Sequence, residues 1–228
     1  DSFVFIPHVC PNNKTSQFRF DTSSGQLTPN EPAEVTPPDD FTGPRHMCFG
    51  PKGDVVWEWH FHLDEEIEAH PLIDVCDREE FAHANACFPL DNGDVLVSFR
   101  RTHTLAIIDR KTKKFRWLKK DVMWGTTHDV QVLENGNLLF FANGIYTPLN
   151  PFSRVIELDM KTGEEVWDYR GQPTWTFFSP NISGAQRLES GNTLICEGQM
   201  GRVFEVTPDQ RIVWEYVSPF FGSYNWFG

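Results

Sequence analysis

Long apolar runs are absent. No stretch approaches the ~18 consecutive apolar residues of a membrane-crossing helix, so no helical membrane insertion is expected. Positive charge is scarce too: 20 Lys and Arg stand against 32 Asp and Glu, a formal net charge of −12. An acidic surface repels phosphate backbones and anionic bilayers, which argues against nucleic-acid partners. Only Arg100, Arg101, Arg110 and Arg116 lie near one another in sequence, leaving room for a local basic funnel. Signatures with a fixed spelling are missing: there is no GxSxG, P-loop, dinucleotide fingerprint or HExxH. The five cysteines, Cys10, Cys48, Cys76, Cys87 and Cys196, show neither CxxC nor zinc-finger spacing. Their odd number leaves at least one thiol unpaired, and reduced cysteine packed as a small hydrophobe is the expected state. The chain opens at Asp1 without Met, as expected of a processed, truncated or partial chain, in which a removed secretory leader would be invisible. Asn13-Lys14-Thr15 and Asn181-Ile182-Ser183 spell N-glycosylation triplets, meaningful only in a eukaryotic secreted protein.

What is present is a repeated phrase. From Gly136 to Tyr169 there are two strand-like runs, Leu138–Phe141 and Arg154–Leu158, a turn at Asp159–Gly163, and a third run carrying Trp167. Runs of β-branched and aromatic residues bounded by Asn-Gly and Lys-Thr-Gly predict consecutive antiparallel strands. The same order recurs over Asn92–Lys119 and Ser190–Val217, so Trp117, Trp167 and Trp214 mark the ends of three modules. Trp57, in GDVVWEW, ends an earlier, degraded one. Self-similarity at this length predicts a radial β array. The fold class is therefore all-β, a β-propeller of about five recognisable four-stranded blades, given roughly 40–45 residues per blade. Aromatics make up 14% of the 228 residues, with 20 Phe and 8 Trp to fill the wedges between blades.

One domain over 1–228 is expected, with a first blade in 1–51, the main blades in 52–217, and an aromatic tail or closing strand in 218–228. His60–Ala82 lacks strand alternation and reads as an ordered loop capping one face; Gly171–Ser183, with Trp175, Phe177 and Phe178, is expected over the axis or a blade edge. An incomplete ring would expose strand edges and favour oligomers or an assembly partner.

A propeller gathers the starts of its innermost strands around a central channel. His83 with Asn85, His128, and Gln186 with Arg187 are predicted at such starts, with Arg100 and Arg101 on the loop after the first full blade's second predicted strand. His83 and His128 are read as occupying equivalent blade positions. Arginine forks match tetrahedral oxyanions, and a neutral imidazole serves as nucleophile or general base. The expected ligand is thus a small anionic or aromatic molecule. His60, His62 and His70, beside Asp64, Glu65 and Glu66, put two rings on one side of a strand, but the flanking acids read as a solvated face, so no metal site is assigned.

Two resemblances sharpen this. QFRFD, GQLTPNEP and GPRHMCF with its PKG, all within residues 1–51 or just after, resemble the lactonase family of seven-bladed propellers, 6-phosphogluconolactonase-like and muconate-cyclase-like proteins among them. In that frame Arg45 and His46 resemble a pocket-lining pair, making lactone hydrolysis a minor alternative. From residue 54 to 217, GDVVWEWHFHLDEE, HANACFPLDNGDVLVSFRRTHTLAIIDRKT, THDVQVLENGNLLFFANG and SGAQRLESGNTLICEGQMGRVFEVTPDQRIVWEY resemble the arylsulfotransferase family of six-bladed propellers. That resemblance implies a channel where histidines and an arginine bind a sulfuryl group, one His being transiently sulfated in ping-pong transfer between phenols. His83 in HANACFPL matches the family's HxN motif, Arg100 in VSFR the arginine after it, and His128 in TTHD the next blade's histidine; SGAQRL brings none. His128 is the expected covalent group and His83 the second choice, with Asn85, Arg101, Gln186 and Arg187 binding substrate. No metal or nucleotide cofactor is implied, and a periplasmic or extracellular location is. The alternative is a non-catalytic propeller serving as a binding or assembly module.

Overall fold

The structure, a computed structural model, describes residues 82–220 except 149, residue 73, and five strands in the N-terminal part. Those five are β1 (Phe3–Phe5), β2 (Phe18–Asp21), β3 (Gln26–Pro29), β4 (Arg45–Phe49) and β5 (Val55–His60). β1, β4 and β5 form one antiparallel sheet; β2 and β3 form a hairpin. Three complete blades follow. The first is β6 (Ala84–Pro89), β7 (Val95–Phe99), β8 (Thr104–Ile108) and β9 (Phe115–Lys120). The second is β10 (Thr127–Val132), β11 (Leu138–Ala142), β12 (Arg154–Leu158) and β13 (Glu165–Tyr169). The third is β14 (Gly184–Arg187), β15 (Thr193–Glu197), β16 (Arg202–Val206) and β17 (Ile212–Val217). In each, every strand pairs antiparallel with the next in sequence. Of the expected five modules, three are four-stranded and the N-terminal part contributes a three-stranded sheet and a hairpin.

The turns follow from side-chain chemistry. Asp109 and Asp159 each accept two backbone N–H bonds, from Lys111 and Thr112 and from Lys161 and Thr162, closing the loops between third and fourth strands.

Blades stack face to face, which is why β7, β8 and β11 are buried along their whole length and read as continuous apolar runs. Alternate residues serve opposite neighbours. Val95, Val97 and Phe99 of β7 face Trp57 and Trp59 of β5, while Leu96 and Leu105 face Leu138, Phe140 and Ile156 of the second blade. Leu139 and Phe141 of β11 turn the other way, towards Ala185, Ile195 and Phe204 of the third. Two wedges come from the connections between blades. Trp124 packs edge-on against Phe140, and Phe177 meets Phe141, Tyr169 and Phe204. Phe177 thus fills the seam between the second and third blades instead of covering the axis, and Trp175 beside it is 77% exposed.

A second device repeats at the rim. Trp57 donates its indole N–H to the Arg110 carbonyl, Trp117 to Met160 and Trp167 to Pro208, at 3.0, 3.1 and 2.9 Å. Each tryptophan clasps the turn between the third and fourth strands of the next blade. The inner strands touch as well: Asn85 Nδ2 donates to the Thr127 carbonyl and Gln131 Nε2 to Ala185, both at 2.6 Å. Successive blades joined at inner edge and rim are the packing of a β-propeller.

Candidate active site at the inner strands

Each inner strand begins through non-glycine residues at positive φ: Ala82 and His83 before β6, Thr126 before β10, Ile182 and Ser183 before β14. Such backbone is costly for L-residues and clusters at functional sites. Register defines the correspondence between blades. Ala84 pairs with Phe99, and Thr127 with Ala142. The backbone N–H of Arg100 donates to the His83 carbonyl and that of Asn143 to Thr126, both at 3.0 Å. His83 therefore corresponds to Thr126, Asn85 to His128, and Arg100 to Asn143. The two histidines are offset by two residues, contrary to the equivalence expected from sequence: counted back from the Asn-Gly turn of its own blade, His83 lies two residues further than His128, and each inner strand carries one extra residue, between Ala84 and Ala86 and between His128 and Gln131.

A cavity of about 490 Å³ lies between β6, β10 and the turn before β14. Asn85, Cys87, Phe88, His128, Asp129 and Ser183 are among its lining residues, so polar groups converge on a wall that is partly aromatic. His128 Nδ1 lies 2.6 Å from Asn143 Oδ1. Burial pulls the imidazole to a pKa of about 4, reinforced by the charges of Arg100 and His83 and opposed by the Asn143 bond. Arg100 reaches the loop before the third blade, donating from Nη2 to Asn181 Oδ1 at 2.8 Å. A side chain of the first blade thus reaches the loop before the third. Asp129, at φ 54°, accepts the Ala185 N–H on Oδ2 at 2.9 Å, and burial raises its carboxyl above the ordinary range. The Asn85 Oδ1 atom is buried and accepts no hydrogen bond from the described residues.

The remaining predicted residues are distributed differently. Arg101 follows β7, half-buried, its backbone N–H on the Ala82 carbonyl at 3.1 Å. Gln186 is exposed on β14. Arg187 lies in the seam between blades, donating to Glu157 Oε2 at 2.7 Å with its guanidinium 4.9 Å from the Trp167 ring centre. His62 and His70 fall outside the described residues, as do the side chains of Arg45, His46 and His60. Among the described residues no cluster of three or more His, Cys, Asp or Glu is arranged to hold a metal ion. No described helix is long and apolar enough to cross a membrane.

Sequence reading missed Asn143, Asp129 and Ser183. Asn143 was findable: setting VSFR over FFAN aligns it with Arg100. Asp129 and Ser183 had no signal, because only the register irregularity and the positive-φ turn bring them to the cavity.

Fold and site together define a propeller with a buried imidazole, that of His128, on the cavity at its inner strands. Residues 65–219, about two-thirds of the chain, match the sequence model of the arylsulfotransferase (ASST) family, and the chain belongs to that family. Residues 1–51, with their lactonase-like motifs, lie outside that match. Among solved structures, a protein of unknown function from Bacteroides caccae is similar at 15% identity and a TM-score of 0.52, over 76% of this chain and 54% of its own. Virginiamycin B lyase from Staphylococcus aureus is similar at 12% identity and a TM-score of 0.47, over 96% of this chain and 60% of its own. BamB from Moraxella catarrhalis gives 16% and 0.43, over 75% and 42%. The chain thus spans about half to three-fifths of the first two. These likenesses concern the fold alone. No curated protein matches.

Proposed function

We propose that this protein binds an aryl sulfate or related anionic aromatic ester at the inner-strand cavity and transfers its sulfuryl group through His128. Family membership supports the reaction class. The observation that carries the assignment to these residues is that His128 lines the inner-strand cavity, with two groups of the first blade, Arg100 and His83, near enough for their charges to act on its imidazole. Arg100, with His83, holds the sulfuryl oxygens and offsets the negative charge that builds on them. His128, neutral near pH 7, gives its lone pair to sulfur; the N–S bond forms as the bond to the aryl oxygen breaks and phenolate leaves. An acceptor phenol, losing its proton, then attacks sulfur and returns the electron pair to nitrogen. Phe88 lends the cavity wall an aromatic ring for the substrate's own. The reading needs neither metal nor nucleotide. A periplasmic or extracellular location goes with it, checked by fractionating the producing cells.

The test is 4-nitrophenyl sulfate with phenol as acceptor. Release of 4-nitrophenolate by the wild type and its loss in His128→Ala, at unchanged melting temperature, are expected. A folded wild type that releases none removes the proposal. A second reading, a binding or assembly module without turnover, draws on the third blade. β14 brings no histidine, and β17 exposes Ile212, Val213, Trp214, Tyr216 and Val217. Aryl sulfate binding without phenol release, or oligomers in light scattering, would favour it.

A further inference from the structure

We infer that Asn143 is the positioning residue that fixes His128 in the tautomer with its proton on Nδ1 and its lone pair on Nε2. Asn143 Nδ2 lies 2.8 Å from the Ser179 carbonyl and 2.9 Å from the Ile182 carbonyl. Both are acceptors only, so the group facing them is the NH2, and the amide cannot be turned over without setting oxygen against two oxygens. Oδ1 therefore points the other way, towards the Thr126 hydroxyl at 3.3 Å and His128 Nδ1 at 2.6 Å. An amide oxygen has no proton to give. The hydrogen in the short contact belongs to Nδ1, and a neutral ring with N–H at Nδ1 keeps its lone pair on Nε2.

The amide is itself held. Asn143 is fully buried, its backbone N–H donates to Thr126, and its carbonyl accepts from Ser153 Oγ at 2.9 Å. Ser153 in turn accepts the Ser179 N–H at 2.9 Å. Strand β11 ends here and the loop before β14 is tied to the same point, so the ring direction is set by two blades at once. This is the logic by which a residue behind a histidine fixes its tautomer and orientation, with a neutral amide in place of a carboxylate.

The assignment rests on the sulfuryl-transfer reading for its consequence, though not for its geometry. When Nε2 forms its bond to sulfur, the ring gains positive charge and the Nδ1–H bond to Asn143 strengthens, so the contact is worth more in the transition state than before it. With the tautomer reversed, Nε2 would carry the proton and could not attack.

Long-range proton–nitrogen NMR of 15N-histidine-labelled full chain at pH 7 decides. In the wild type, His128 is expected to show a protonated Nδ1 and an unprotonated Nε2. Asn143→Asp retains the acceptor towards His128 and should retain that pattern, at a cost in stability because its second oxygen meets the Ser179 and Ile182 carbonyls where the NH2 stood. Asn143→Ala should lose it and, with 4-nitrophenyl sulfate, lose about 10- to 100-fold in kcat with a smaller change in KM. If neither variant folds, the wild-type spectrum suffices. A wild-type His128 protonated at Nε2, or an Asn143→Asp pattern reversed from the wild type, overturns the inference whatever the turnover. The expected tautomer with no phenol release leaves the inference standing and sinks the transfer reading instead.

Discussion

Trp117, on the outermost strand of the first blade, holds the Met160 carbonyl of the second with its indole N–H at 3.1 Å. Trp57 and Trp167 do the same one blade earlier and one blade later, so the tryptophan that punctuates the sequence repeat is also the clasp between modules. Trp214 holds the matching place in the third blade. It is 50% exposed, and among the described residues no further turn lies beyond it. Trp117→Phe should therefore cost about 1–2 kcal/mol, the indole hydrogen bond plus part of the ring area. Trp214→Phe should stay within about 0.5 kcal/mol, as surface changes do. Urea denaturation of both variants checks this; equal costs would mean that the clasp contributes nothing beyond ring burial.

Acid should weaken the fold through two imidazoles. His103 and His128 both have a pKa near 4, against 6.5 in an unfolded chain, and burial is the main cause for each. Between those values the unfolded chain takes up protons that the folded one refuses. Stability is therefore complete above pH 6.5, falls as the pH drops towards 4, and changes no further on their account below it. The loss amounts to at most about 3 kcal/mol per group. His103 has a structural reason as well: its Nδ1 accepts the Thr126 N–H at 3.0 Å, a bond that protonation there destroys. His103→Asn, whose Oδ1 can replace Nδ1 as acceptor, should flatten the slope between pH 7 and 5. An unchanged slope in denaturant titrations would show that His103 does not titrate in that window.

Catalysis should tolerate acid better than a solvated histidine allows. With His128 neutral down to about pH 4, initial rates with 4-nitrophenyl sulfate should hold from pH 7 to 5 and fall only below, in the range where the fold itself weakens. Rates that halve near pH 6.5 would mean that His128 is solvated, or that another group carries the reaction.

The repeat was legible because packing wrote it into composition. Strands covered on both faces read as LLFF and VLV, and the turns declare themselves through Asp, Gly and Lys-Thr. His83, Arg100 and His128 could be picked out because they sit beside those strands; of the three, His128 lines the cavity. Register was not legible. The one extra residue in each inner strand, at Asn85 and within Asp129–Val130, is invisible in a string of letters, whereas the offset of the histidines can be counted back from Asn92-Gly93 and Asn135-Gly136. Arg187 misleads for a related reason: on a four-residue strand, alternation directs every second side chain into the seam, where Glu157 waits.

That seam gives a sharp contrast. Glu157 accepts from Asn135 at 3.0 Å, Asn137 at 2.7 Å and Arg187 at 2.7 Å, and is itself buried. Removing the cation leaves a buried carboxylate short of one partner. Arg187→Ala should cost about 2–4 kcal/mol, while the pair Arg187→Met with Glu157→Gln should recover most of it. A double variant as unstable as Arg187→Ala would place the loss in packing against Trp167.

Gly184 of the third inner strand packs against Asp129 of the second. A Cβ on it would collide with Asp129 Oδ2, the atom that accepts the Ala185 N–H. Gly184→Ala must therefore push the carboxylate aside, break that bond and shift one wall of the cavity. A cost of about 1–3 kcal/mol is expected, combining overpacking with the lost hydrogen bond. Asp129→Ala should lose the bond alone, at about 1 kcal/mol. Because both changes act on one contact, the double variant should be more stable than the sum of the two predicts, the methyl group entering space the carboxylate has left. Strict additivity in a denaturation cycle would show that the strands are held together by something other than this latch, and that Asp129 faces the cavity without tying it to the third blade.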